Sequence, residues 1–213
     1  MRILPGWLAS KATYEQFLAF EYKDAANVYW KTFVEYVQRV GSGDLLGLLD
    51  APISSMVVES MLSSFGADVE HEERIRAVLD FFGSDHFRGV PYEWLSTRAC
   101  AVLKDRVRRG QPTNLKKAAE KISHTFQDIE HVATYGPYCD AIFIDKAMAD
   151  LVRDSRIGLE KRYDVKVFCE ENWSDFDAWL NTLDANLSPE HAAGLAAAYP
   201  TSIANPFDVT RGA

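Results

Sequence analysis

Three aspartates, Asp128, Asp140 and Asp145, fall within one run of eighteen residues, DIEHVATYGPYCDAIFID. Two or three carboxylates converging on a few ångströms repel one another strongly unless a cation neutralises them, so the chemistry this run suggests is divalent-metal binding. The residues between the aspartates supply a way to converge. Ala141-Ile142-Phe143-Ile144 is a short apolar run of large side chains preceded by Gly136-Pro137, and it reads as a buried strand. Asp145 then lies at the C-terminal end of that strand, where ligands collect in an open parallel sheet. Asp128 sits on the preceding helix, and the turn at Tyr135-Gly136-Pro137 can fold it toward the same edge. The competing reading is that Asp128 and Asp140 cap helix or turn ends, and only Asp145 faces a ligand.

A second group is basic. Lys104, Arg106, Arg108, Arg109, Lys116, Lys117 and Lys121 lie in one short segment opposed only by Asp105 and Glu120. Such a patch suits a phosphate backbone, or else it is the solvated face of two helices and their loop. The formal net charge of -8 argues against a protein that coats nucleic acid non-specifically. It leaves room for transient binding, because an acidic metal centre itself adds negative charge. His131, one helical turn after Asp128, either hydrogen-bonds that carboxylate or a phosphate, or is structural.

The elements that must position these residues are mostly helical. Apolar side chains recur at helical spacing from residue 13 to 38, with Thr13 as cap and Gly41-Ser42-Gly43 as stop. Leu45 to Leu49 reads as a buried strand or a helical turn. In the helix after Ser54-Ser55, Glu59 stands either inside an apolar stretch or on a polar side with Ser60 and Ser63. Residues 70 to 82 form a further helix. Val90-Pro91-Tyr92 reads as a turn or edge strand before a helix to about Arg109, and Thr113 or Asn114 caps the next helix toward His131. After the Asp145 strand come a helix with Ala147, Met148, Leu151 and Val152 inward, a strand over Asp164–Cys169, and a helix marked by Phe176, Trp179 and Leu180. Strand, helix, strand, helix is the order of a parallel crossover.

With 213 residues, 47% of them hydrophobic, the chain suits a single α/β domain over residues 1–187. Residues 188–213 then form a short helix, capped by Ser188 and Glu190, and a loose tail. No signal peptide or membrane span is read from the sequence. Cys100, Cys139 and Cys169 match no zinc spacing and read as reduced, buried thiols of a cytoplasmic protein.

The run DIEHVATYGPYCDAIFIDKAMADLV, followed by DVKVFCEEN, resembles the C-terminal half of PIN-like nuclease domains, closest to a bacterial group. GVPYEWLSTRACAVLK and the break before PTNLKKAAEKI are similar to that group too. The resemblance covers about residues 53–183 and is strongest over 112–173. It implies a three-layer α/β/α fold with a small parallel sheet, an acidic cluster holding Mg²⁺ or Mn²⁺, and hydrolysis of phosphodiester bonds in RNA, sometimes DNA. Asp128 matches the family's helix aspartate and Asp145 the aspartate closing its fourth strand. Asp140 stands in the turn before that strand, and Glu59, in PISSMVVESML, matches a glutamate on an early helix.

By the same resemblance Asp128 and Asp145 are the main metal ligands, with Glu59 a third. Glu59 and Asp140 bind through water or hold the attacking water, and Arg109, Lys116 and Lys117 contact the nucleic-acid backbone. The family's opening strand, ending in an aspartate, has no counterpart in the first ten residues, MRILPGWLAS; one of four usual carboxylates is then absent. The expectation is a metal-dependent ribonuclease, or alternatively a catalytically inactive PIN-like binding or regulatory module. A homodimer and an antitoxin-like protein partner fit the family; a membrane does not. The third possibility is an unrelated helical protein whose acidic spacing is accidental.

Overall fold

Thr13 opens the longest element with a reciprocal cap. Its hydroxyl accepts from the Gln16 N–H over 3.3 Å, and the Gln16 side chain accepts the Thr13 N–H over 2.9 Å, satisfying donors that a helix start otherwise leaves unpaired. From this cap α2 (Tyr14–Gly41) runs for 28 residues and stops at Ser42, with Gly43 following at φ +99°. The helix expected from Thr13 to the Gly41-Ser42-Gly43 stop therefore forms. The computed structural model describes residues 3–44, 46, 51–110 and 115–198, and within these the side chains of 3–5, 115–121 and 184 are left undescribed. The run at 45–49 apart from Leu46, the caps expected at Thr113 or Asn114, and the tail beyond 198 lie outside the described residues.

The chain divides into two compact units, Met1–Val167 and Phe168–Ala213. In the first, α1 (Ile3–Ala9) and α2 are followed by α3 (Ile53–Ser63), α4 (His71–Gly83), α5 (Asp85–Gly89), α6 (Pro91–Gly110) and α7 (Leu115–Tyr135). The helix α2 packs on α3 and α6, and α6 also meets α1 and α7. Phe82 and Phe87 join Val58 and Val78 in a buried cluster against the aromatic stripe of α2, with Tyr29 stacked on Phe82 at 5.3 Å. Burying each such side chain stabilises the fold by roughly 1.5–3 kcal/mol. Tyr29, Trp30 and Phe33 of that stripe pack against the cluster, while Phe20, Val28 and Val37 stay exposed. Val90-Pro91-Tyr92, expected as a turn or edge strand, instead starts α6. Proline suits a first helical position, where its fixed φ is pre-set and its missing N–H has no partner to lose.

Beyond a 3₁₀ turn at Gly136–Tyr138, β1 (Ala141–Phe143), α8 (Lys146–Val152), α9 (Leu159–Tyr163) and β2 (Lys166–Phe168) complete a small crossover. The two strands form a parallel pair, with the Lys166 N–H donating to the Asp140 carbonyl over 2.9 Å. Left-handed residues bracket α9: Gly158 at φ +58° and Asp164 at φ +55°, a conformation that aspartate tolerates better than most residues. The fold is thus helix-rich with a two-strand parallel sheet, a mixed α/β arrangement. Expected as a buried strand, β1 is half-exposed, with Phe143 45% accessible. A three-residue strand paired on one side leaves much of its surface open.

In the second unit a 3₁₀ turn at Glu170–Asn172 leads into α10 (Trp173–Ala185) and α11 (Pro189–Ala198). Phe168 packs on Phe176 and Trp179, with ring centroids 5.2 and 5.6 Å away. Ser188 caps α11 as its position predicts, its hydroxyl accepting the His191 N–H over 3.1 Å. Among the described residues no helix is long and apolar enough to cross a membrane.

Candidate functional site

The acidic residues of the 128–145 run occupy separate local roles. Asp145 is the N-cap of α8, and its Oδ1 accepts the Met148 N–H over 2.8 Å. Asp140 precedes β1 and is exposed. Asp140 and Asp145 thus stand beyond opposite ends of β1. Asp128 lies half-buried on α7, and Glu59 is exposed on α3 with Ser60 and Ser63 beside it, the polar-side alternative. His131 is exposed on α7. Among the described residues no three His, Cys, Asp or Glu side chains come close enough to hold a metal ion together. Mg²⁺ and Mn²⁺ take several oxygens at about 2 Å around one centre.

Arg109 belongs to a different constellation. At the end of α6, Asp105 is fully buried and takes three guanidinium groups. Arg108 Nη2 reaches its Oδ1 over 2.8 Å, Arg109 binds through Nε and Nη2 at 3.1 and 2.7 Å, and Arg156 Nη1 reaches Oδ2 over 2.7 Å. Burial alone would raise the Asp105 carboxyl, but the hydrogen bonds from Arg108, Arg156 and Arg109 outweigh it and hold the group below its ordinary value. Asp154 binds Arg156 at 2.8 Å and Arg106 at 2.9 Å. Hydrogen bonds from Arg156, and then from Arg106, push its carboxyl well below the usual range despite partial burial.

Lys11, Arg108, Arg109 and Arg156 line a recess of about 290 Å³ at the N-terminal end of α2. Arg156 also stacks over the Tyr14 ring, 4.8 Å from its centroid. Lys11 and three guanidiniums stand here against Glu15 and the buried Asp105, leaving a positive surplus. The side chains of Lys116 and Lys117, on α7, lie outside the described residues.

A second buried polar pair joins α2 to α6. The Tyr29 hydroxyl donates to Glu93 Oε1 over 2.8 Å, and one turn further on the Glu93 carbonyl accepts from the Thr97 hydroxyl. Burial, opposed by the Tyr29 hydrogen bond, pushes the Glu93 carboxyl above its ordinary value. Nearby, Lys104 binds Glu21 and sits over the Trp7 ring at 5.0 Å.

Of these groups, Asp105 with Arg108 and Arg109 was legible as i, i+3 and i+4 pairs in KDRVRR. Arg156 and Tyr29 reach their partners only through tertiary packing, and no local signal announces either contact. The cysteines differ from the expected three buried thiols: Cys169 is buried, Cys100 half-buried and Cys139 exposed. No protein-family model matches this chain, and no curated protein or solved structure matches it.

Proposed function

We propose that this chain is a PIN-like module, its parallel strand pair standing for the sheet of a three-layer α/β/α fold, and that it grips the phosphodiester backbone of RNA as a binding or regulatory protein. The observation that carries this reading is the basic recess at the start of α2. Lys11, Arg108, Arg109 and Arg156 converge there, and buried Asp105 fixes three of them in advance. Guanidiniums held in place recognise phosphate oxygens with less ordering entropy than free ones. Arg109 keeps 66% of its side chain accessible while bound to Asp105. The start of a long helix adds N–H groups and a positive end. Glu15 lines the same recess, its carboxyl held low by its own backbone N–H and by Thr13.

Metal-dependent cleavage of the same backbone is the second reading. What favours it is the place of Asp145, just past the C-terminal end of a strand in a parallel pair.

Fluorescence anisotropy with a labelled single-stranded RNA oligonucleotide tests the binding reading. Affinity should fall with salt, and each of Lys11→Ala and Arg109→Ala should reduce the salt slope by about one. RNA affinity indifferent to both substitutions would remove the basis for it. Incubating the same RNA with Mn²⁺ tests the second reading: cleavage abolished by Asp145→Asn would support it. Asparagine caps a helix as well as aspartate does, so that loss would not arise from unfolding.

A further inference from the structure

Between α2, α6 and α7 opens a cleft of about 370 Å³ that shares no residue with the basic recess. Four carboxylates line it: Glu21 and Asp24 from α2, Glu93 from α6 and Glu130 from α7, with no lysine or arginine among the described lining residues. Glu21 is already paired with Lys104, whereas Asp24 and Glu130 have no basic partner among the described residues. Glu93 is 2% exposed. Its Oε1 takes the Tyr29 hydroxyl, and no donor among the described residues reaches Oε2. A buried carboxylate with a single neutral donor is an expensive arrangement in the absence of a cation.

The remaining wall is apolar and aromatic. Val28 presents 55% of its surface beside Tyr29, Tyr92, Phe126 and Ile129. The Tyr92 phenol is pushed up first by burial and then by the charges of Glu130 and Glu93, so the negative potential reaches across the opening. Such a lining disfavours a bare, hydrated inorganic cation, which gains nothing from apolar walls. It suits a ligand with one charged end and one greasy end. Aromatic faces add attraction for the charged end, and the volume lies in the range of small-molecule sites.

We propose that this cleft binds an organic primary ammonium carried on an apolar aryl or alkyl body, with the nitrogen at Glu93 and the body along Val28, Tyr92 and Phe126. The ammonium supplies hydrogen-bond donors to the unfilled Glu93 oxygen and restores the charge balance among the carboxylates. The apolar body covers Val28.

Phenethylammonium is the probe, and phenethyl alcohol, of nearly the same shape without charge, is its control. Calorimetric titration of the full chain should show binding of the ammonium and none of the alcohol at equal concentration. Glu93→Gln keeps an acceptor for Tyr29 but removes the charge, and should weaken ammonium binding about tenfold or more. The rim variant Asp24→Asn with Glu130→Gln alters exposed side chains and should weaken it about twofold to fivefold. This second variant keeps the test decisive if Glu93→Gln fails to fold. Equal binding of alcohol and ammonium, or affinity unchanged in whichever of the two variants folds, overturns the proposal.

Discussion

Asp105 near the end of α6 and Arg156 beyond α8 meet over 2.7 Å although 51 residues of chain separate them. The contact ties the long central helix to the crossover, and Asp105 is the hub because Arg108 and Arg109 converge on it from its own helix.

Removing that hub should be costly. The Asp105 side chain is 1% exposed, and Asp105→Ala leaves three guanidiniums without their shared partner. Breaking a buried pair from one side typically costs about 3–5 kcal/mol. Urea unfolding of Asp105→Ala should show a loss of that size, and Arg109→Ala, whose side chain is mostly exposed, a loss of about 1 kcal/mol or less. Similar losses in the two variants would mean that Asp105 is no hub.

Acid should act through the same cluster. The carboxyls of Asp105 and Asp154 both lie below their ordinary value of 3.8 in the folded chain. A depressed carboxyl contributes stability that is complete above its unfolded value and lost as pH falls toward the folded one. Melting temperature should therefore hold from neutrality to about pH 5 and drop steadily below about pH 4. Asp154→Asn should be less stable at neutral pH and should lose less on acidification. Parallel melting curves against pH for the two proteins would contradict this.

Glu93 carries the opposite sign. Its carboxyl is raised above the ordinary 4.5, so its contribution is complete below that value and is lost as pH rises through the folded one. Glu93→Gln abolishes the titration while retaining the acceptor for Tyr29. The melting temperature of the variant relative to the parent should rise from pH 4 to pH 8. A difference that stays flat, or falls, would show that burial does not oppose the charged form.

Thiol reactivity separates the three cysteines. Burial, with the charge of Glu21 adding to it, pushes the Cys100 thiol up to about 12, and Cys169 is buried. Thiolate is the reacting species, and both should stay inert in the folded protein. Brief iodoacetamide treatment at pH 8, read by peptide mass spectrometry, should modify exposed Cys139 first and the other two only in denaturant.

Much of the helical frame was legible because its signals are local. Thr13 and Gln16 cap each other three residues apart, and Ser188 precedes its helix directly, whereas Pro91, read as part of a turn or edge strand, opens α6. The strands were legible as short apolar runs at 141–144 and 164–169, but their three-residue extent was not. How far strands pair depends on neighbours distant in sequence, and among the described residues β1 has only β2. Carboxylate spacing around Asp145 suggested an ion site, yet an aspartate just before a helical run is equally an N-cap, and the Met148 N–H takes that oxygen. Glu93 gave no warning inside YEWLSTRACAVL, because its partner Tyr29 lies on another helix.

Two strands of three residues cannot hold together alone in water, so β1 and β2 zip only onto a helical surface that is already assembled. Helices gain their contacts early and cheaply from near neighbours, whereas this pairing must first close the chain between Asp140 and Lys166. Amide protons along 141–143 should accordingly trade with deuterium through small, frequent openings, while those at the middle of α6 stay shut until the whole unit melts.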